Sequence, residues 1–198
     1  MSMSHAPATR NRVLADALPH AALVDLLLII GGATLVGLTA QLRIPVPGTP
    51  VPITGQTFGV LLVGTALGAR RGTLSMLAYA LGGLLIPWYS HGTRGWSVLT
   101  GATGGYIIGF IAAAAICGYL AERGNSRSAM SVAGTFLVGE AIIYAAGVPW
   151  LMHVTGMDLK AALAAGFTPF FLGDIVKALI AAGLLPLAWA GLKRLGRD

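Results

Sequence analysis

The chain has 198 residues, of which 56% are hydrophobic and 10% charged, with a formal net charge of +6. A soluble domain carries about 25% charged residues, so this composition excludes an ordinary soluble enzyme or binding domain and indicates an integral membrane protein. In such a chain a positive balance is expected from loop topology and needs no nucleic acid to explain it.

Residues 1–21 form a short tail with Arg10, Arg12 and Asp16; no cleavable signal is expected in it, because the first apolar run comes late and is long. The predicted spans are 22–42, 53–69, 73–89, 100–121, 129–150 and 167–192, giving an all-α membrane domain over residues 1–198 with six transmembrane helices in the lipid bilayer. Span 1 carries Asp25 near its start, read as a solvated carboxylate at interface depth, and a small-residue strip of Ala33, Gly37 and Ala40 that suits a close helix contact, within the protein or with a partner. Pro45, Pro47, Pro50 and Pro52 then exclude helix and predict a stiff, extended loop that serves as a lid or pocket wall. Arg70-Arg71-Gly72 reads as a tight turn between spans 2 and 3. Span 4 opens on Gly101, Gly104, Gly105 and Tyr106, where glycines expose backbone or admit a ligand. Span 5 carries Glu140 near its middle, either a protonated or hydrogen-bonded packing group or a proton-coupling acid. Residues 158–166 predict a short interfacial helix.

Span 6 holds the most unusual feature. Asp174 and Lys177 lie within an apolar run, where each charge costs about 3 kcal/mol on insertion scales. Three residues apart on a helix, they share a face. They form either a structural ion pair or a polar ligand site, and the second reading organises the rest of the chain. Arg10, Arg12, Arg70, Arg71, Arg123, Arg127, Lys193, Arg194 and Arg197 fall on one side of the predicted topology, against Arg43, Arg94 and Lys160 on the other. This asymmetry predicts that both termini are cytoplasmic and that the proline-rich loop faces outside. At the outer depth of Asp174 the same topology places Tyr106, Tyr144, Thr54 and Gln56, with Trp88, Tyr89, Trp96 and Trp150 nearby. Polar and charged groups from four spans thus converge on a pocket open to the outside.

Other chemistries lack their residues. No G-x-x-x-x-G-K-[ST] loop and no G-x-S-x-G elbow occurs, and His5, His91 and His153 are scattered without metal-ligand spacing. Cys117 reads as core packing. No catalytic group, cofactor or metal site is expected, and uphill transport would draw on an ion gradient or on another subunit.

Four stretches carry a resemblance: residues 47–57 (Pro47 to Thr57), residues 104–110 (Gly104 to Phe110), Ile143-Tyr144 with Trp150-Leu151, and residues 173–177 (Gly173 to Lys177). In them the chain resembles the BioY family, the biotin-specific substrate-binding subunits (S components) of energy-coupling factor (ECF) transporters. The resemblance implies an S-component fold, biotin bound near the outer face, and partnership with a transmembrane coupling subunit and two cytoplasmic ATPase subunits in a prokaryotic cytoplasmic membrane. It implies a biotin site containing Asp174 and Lys177; Tyr106, Tyr144, Gln56, Thr54 and Gly105 are the further candidates. It implies docking of the coupling subunit on Ala33 and Gly37. Glu140 has no place in the family pattern. The alternatives are an S component for another vitamin, a self-sufficient proton-coupled secondary transporter using Glu140 or Asp174, and a membrane enzyme or scaffold.

Overall fold

The computed structural model describes residues 13–19 and 21–196; Arg10, Arg12, Arg197 and the other residues outside these ranges, with the expectations made for them, lie outside the described residues. A short 3-10 turn (Leu14–Ala17) precedes α1 (Ala22–Thr39). Two short strands, β1 (Arg43–Ile44) and β2 (Ile53–Thr54), pair antiparallel, Arg43 opposite Thr54. The helices α2 (Gln56–Leu67), α3 (Ala69–Gly82), α4 (Trp96–Leu99), α5 (Gly104–Leu120), α6 (Ala129–Thr155), α7 (Leu159–Gly166) and α8 (Phe171–Arg194) complete the chain. Helix α5 is central and packs against α2, α3 and α6; α1 lies against α3 and α2, and α8 against α6.

Four of the described helical segments, α1, α5 with its continuation to Asn125, α6 and α8, are long and apolar enough to cross a membrane. Predicted spans 2 and 3 shorten to helices of 12 and 14 residues. At 1.5 Å per residue these reach only about 18 and 21 Å, against a hydrocarbon core of about 30 Å. The strand β2 takes the start of span 2, and the break after it is displaced from its expected place. The turn sits at Gly68, at φ +86°, and Arg70 and Arg71 belong to the first turn of α3 rather than to a turn between helices. Arg71 stays helical because its guanidinium finds two carboxylates, Asp25 at 2.8 Å and Asp16 at 3.2 Å. Asp25 is therefore an ion-pair partner and not merely a solvated carboxylate. Glu122 accepts from the Ala69 amide at 2.8 Å, satisfying one of the free N–H groups at the start of α3. The Gly68 conformation is close to glycine-only. Gly68→Ala will lower stability by about 1–3 kcal/mol, read as a lower thermal midpoint in detergent.

Helix α1 is apolar on all sides, so hydrophobicity does not choose its inner face; side-chain size does. Gly32, Ala33, Val36 and Gly37 point inward, whereas Leu23, Leu26, Leu27, Ile30 and Leu38 are exposed. A Cβ on Gly37 would meet the Trp88 Cβ at 3.0 Å, and one on Gly32 would meet the Ser75 Oγ at 2.6 Å. The strip that carries the docking expectation, Ala33 and Gly37, thus faces this same chain. Ala33 is 1% exposed, and the strip lets α1 approach the rest of this same chain.

The loops on one side of the bundle are anchored rather than loose. Gln41, just past α1, donates to the carbonyls of Gly37 (3.0 Å), Trp88 (3.2 Å) and Tyr89 (3.1 Å) and accepts from the Gly92 amide at 3.1 Å. Thr49, in the proline-rich loop, donates to the Ala165 carbonyl at 2.6 Å, tying that loop to α7. Asp158 caps α7 by accepting from the Ala161 amide at 2.8 Å, as expected for a short helix there.

Candidate functional site

Beneath these loops lies a cavity of about 230 Å³. The proline-rich loop supplies Pro50, Val51 and Pro52; the segment after α3 supplies Tyr89, Ser90, His91 and Thr93; α5 supplies Tyr106, Ile107 and Phe110. Thr54 of β2, Gln56 and Thr57 at the start of α2, Ser97 and Val98 of α4 with Gly101, Ala102 and Thr103 after it, Ile143 and Tyr144 of α6, and Phe170, Asp174 and Lys177 complete the wall.

The polar groups are concentrated in one cluster. Helix α8 begins at Phe171, so Asp174 sits in its first turn, where the helix dipole favours a carboxylate. Lys177, three residues on, donates to Asp174 Oδ1 at 2.9 Å and to the Thr57 hydroxyl at 2.8 Å. The Tyr144 hydroxyl donates to Asp174 Oδ2. Asp174 is 4% exposed, yet both of its oxygens are engaged, which meets the requirement that a buried charge be paired and hydrogen-bonded. A carboxylate has about four lone-pair directions, so Asp174 keeps acceptor capacity toward the cavity. The cluster ties α8 to α2 and to α6.

The other candidates have divided roles. Thr54 donates to Gln56 Oε1 at 3.0 Å, and Gln56 Nε2 donates to the Tyr79 hydroxyl at 2.6 Å. Tyr106 lines the cavity with its ring while its hydroxyl donates to the Gly166 carbonyl at 2.9 Å. It meets Tyr144 edge to face at 6.4 Å, and Tyr144 meets Phe167 at 4.9 Å, giving the site an aromatic wall. Gly105 does not line the cavity. A Cβ there would lie 2.2 Å from the Trp150 Cβ, so this glycine makes room for tryptophan, and the Trp150 indole donates to the Gly101 carbonyl at 2.9 Å. Gly101, by contrast, lines the cavity. Trp96 is largely exposed and stands apart from it.

Three wall residues lie outside the candidates of the sequence analysis, although two of them carry a signal. Phe110 follows Tyr106 by four residues and Phe170 precedes Asp174 by four, the spacing that stacks side chains on one helix face. Thr57 follows Gln56 directly; nothing in its local pattern marks it as a partner for a lysine 120 positions away.

The model of the BioY family matches residues 9–194 of this chain. The chain belongs to the BioY family. Relatives include the biotin transporter BioY of Thermotoga maritima, 39% identical over 140 residues, which are 70% of this chain and 81% of that one. The biotin transporter BioY2 of Lactococcus lactis subsp. cremoris is 36% identical over 162 residues, 80% of this chain and 86% of that one. A crystal structure of the S-component for biotin from an ECF-type ABC transporter superposes with a TM-score of 0.75 at 22% identity, covering 89% of this chain and 92% of that one. This BioY-family chain therefore has the S-component fold and, with its apolar helices, is a multi-pass membrane protein.

Proposed function

We propose that this chain captures biotin at its outer face and serves as the substrate-specific S component of an ECF-type transporter in a prokaryotic cytoplasmic membrane. The observation that carries this reading is the Asp174–Lys177–Thr57–Tyr144 cluster at the wall of an otherwise aromatic and apolar cavity, in a chain of the BioY family. Biotin has a ureido group with two N–H donors and a carbonyl, an apolar thiophane ring and a valerate carboxylate. Asp174 offers the acceptor that N–H donors require, with charge-assisted strength. Lys177 offers a point charge for a carboxylate. Tyr106, Tyr144, Phe110, Phe170 and the proline-rich loop suit the ring and the aliphatic chain. Thr54 and Gln56 hold the polar edge nearest the loop.

In this reading the chain crosses the membrane six times with both termini cytoplasmic, the short helices α2 and α3 being completed by their flanking segments. The chain carries no phosphate-cradling loop of its own, and its likeness to the S-component of an ECF-type ABC transporter supports a transmembrane coupling subunit and two cytoplasmic ATPase subunits as the source of energy. Uptake of labelled biotin by cells expressing the chain with and without those subunits tests this. Accumulation should require the ATPases and survive an uncoupler. Accumulation that collapses with the uncoupler and ignores the ATPases would instead favour a proton-coupled carrier.

The Tyr144 hydroxyl orients Asp174 from α6. Tyr144→Phe keeps the ring contacts and removes this bond, and is expected to weaken biotin binding about tenfold, the equivalent of one hydrogen bond to a charged group. Equilibrium binding to the purified variant checks it.

A further inference from the structure

Glu140 is the one group near the cluster that the proposed site does not use. It sits on α6 one helical turn before Tyr144, is 5% exposed, and neither of its carboxyl oxygens has a hydrogen-bond partner of good geometry among the described residues. Facing it, helix α8 brings Asp174 and Lys177, α2 brings the Thr57 hydroxyl, α5 brings the Cys117 thiol, and its own helix brings Tyr144. Lys177 already donates to Asp174 and Thr57. An ionised Glu140 would compete with Asp174 for the Lys177 ammonium and leave two buried negative charges against one positive. Burying a charge without a partner is far more costly than burying the neutral acid.

We propose that Glu140 is a proton-bearing positioning residue behind the Asp174–Lys177 pair, and that its proton is required for ligand capture. The inference rests on the reading that biotin engages this pair. With Glu140 neutral, Lys177 stays on Asp174 and Thr57, and the pair keeps the geometry and net charge that an anionic ligand meets. With Glu140 ionised, the ammonium is drawn toward α6, and the added negative charge opposes the ligand carboxylate. Ligand capture and deprotonation of Glu140 therefore exclude one another.

The test uses the purified full-length protein and two measurements. Biotin affinity is followed by calorimetry from neutral to alkaline pH for the wild type and for Glu140→Gln, which has the shape of the neutral acid. Wild-type affinity should fall as pH rises, and Glu140→Gln should bind as tightly as wild type at neutral pH and lack that fall. Infrared spectra of the ligand-free protein should show the carbonyl stretch of a protonated carboxyl, absent in Glu140→Gln. Wild-type affinity that stays flat, parallel profiles for the two proteins, or a tenfold loss in folded Glu140→Gln at neutral pH would each overturn the proposal. Should Glu140→Gln fail to fold, the wild-type pH profile and its infrared band still decide. A protein that binds no biotin at any pH would remove the functional reading, and the infrared band would then decide separately whether Glu140 carries its proton; without that band the proposal falls.

Discussion

A Lys177→Ala variant will bind biotin about 100-fold or more weakly than wild type. Lys177 donates to both Asp174 and Thr57, and so links α8 directly to α2 within the cluster. Removing one member of a buried ion pair leaves the other uncompensated and costs about 3–5 kcal/mol. Asp174 would retain the Tyr144 hydroxyl alone and stand as a buried carboxylate without its cation. The pair that holds this acceptor in place for the ligand's N–H groups is then broken. Lys177→Arg would not restore it, because a planar fork does not replace a compact ammonium between a carboxylate and a hydroxyl. The measurement is a calorimetric titration of folded variant, with size-exclusion behaviour as the folding control. Affinity within threefold of wild type would mean that the pair is structural and that the ligand sits elsewhere.

The second large effect is on stability. A Cβ on Gly118 would lie 2.4 Å from the Ala69 nitrogen and 2.5 Å from the Gly68 carbonyl carbon. These are backbone atoms, so no rotamer change relieves the clash. Nearby, a Cβ on Gly64 would meet the Ala114 carbonyl oxygen at 2.8 Å, and one on Gly72 would meet the Gly64 Cα at 2.9 Å. Three glycines thus let α5 lie backbone to backbone against the α2–α3 corner, the kind of close approach on which helix association in membranes depends. Gly118→Val must push the helices apart and is expected to cost about 3 kcal/mol or more, at the upper end of overpacking effects. Gly191→Val is the control, since a Cβ there meets nothing within 4 Å. Thermal unfolding in detergent should separate the two variants clearly; equal midpoints would contradict the packing described for α5.

The long helices α1, α5, α6 and α8 are legible in the sequence because uninterrupted apolar length is itself the signal. The α2–α3 boundary is not. Arg70 and Arg71 look like a polar turn, and only the tertiary structure brings Asp16 and Asp25 to Arg71 and keeps it helical. The inner face of α1 is equally hidden, since a helix apolar on every side carries no amphipathic stripe, and the same small residues serve an internal or an external contact. In the site, Asp174 and Lys177 stand out because charges at membrane depth need a reason. Tyr106 and Tyr144 follow from the topology that sets them at the same depth. Thr57 and the anchoring role of Gln41 depend on contacts between segments far apart in the chain, which local pattern does not encode. Gly105 packs against Trp150, and a glycine that admits a ligand and a glycine that admits a tryptophan look the same in sequence.

The proposed function requires this chain, by itself, to hold biotin in the cavity walled by Asp174 and Lys177. The most direct test is calorimetric titration of biotin into the purified wild-type protein in detergent. Saturable one-to-one binding that is competed by biotin analogues retaining the ureido group is the predicted result. A folded, monodisperse protein that gives no binding heat and retains no labelled biotin would contradict the claim.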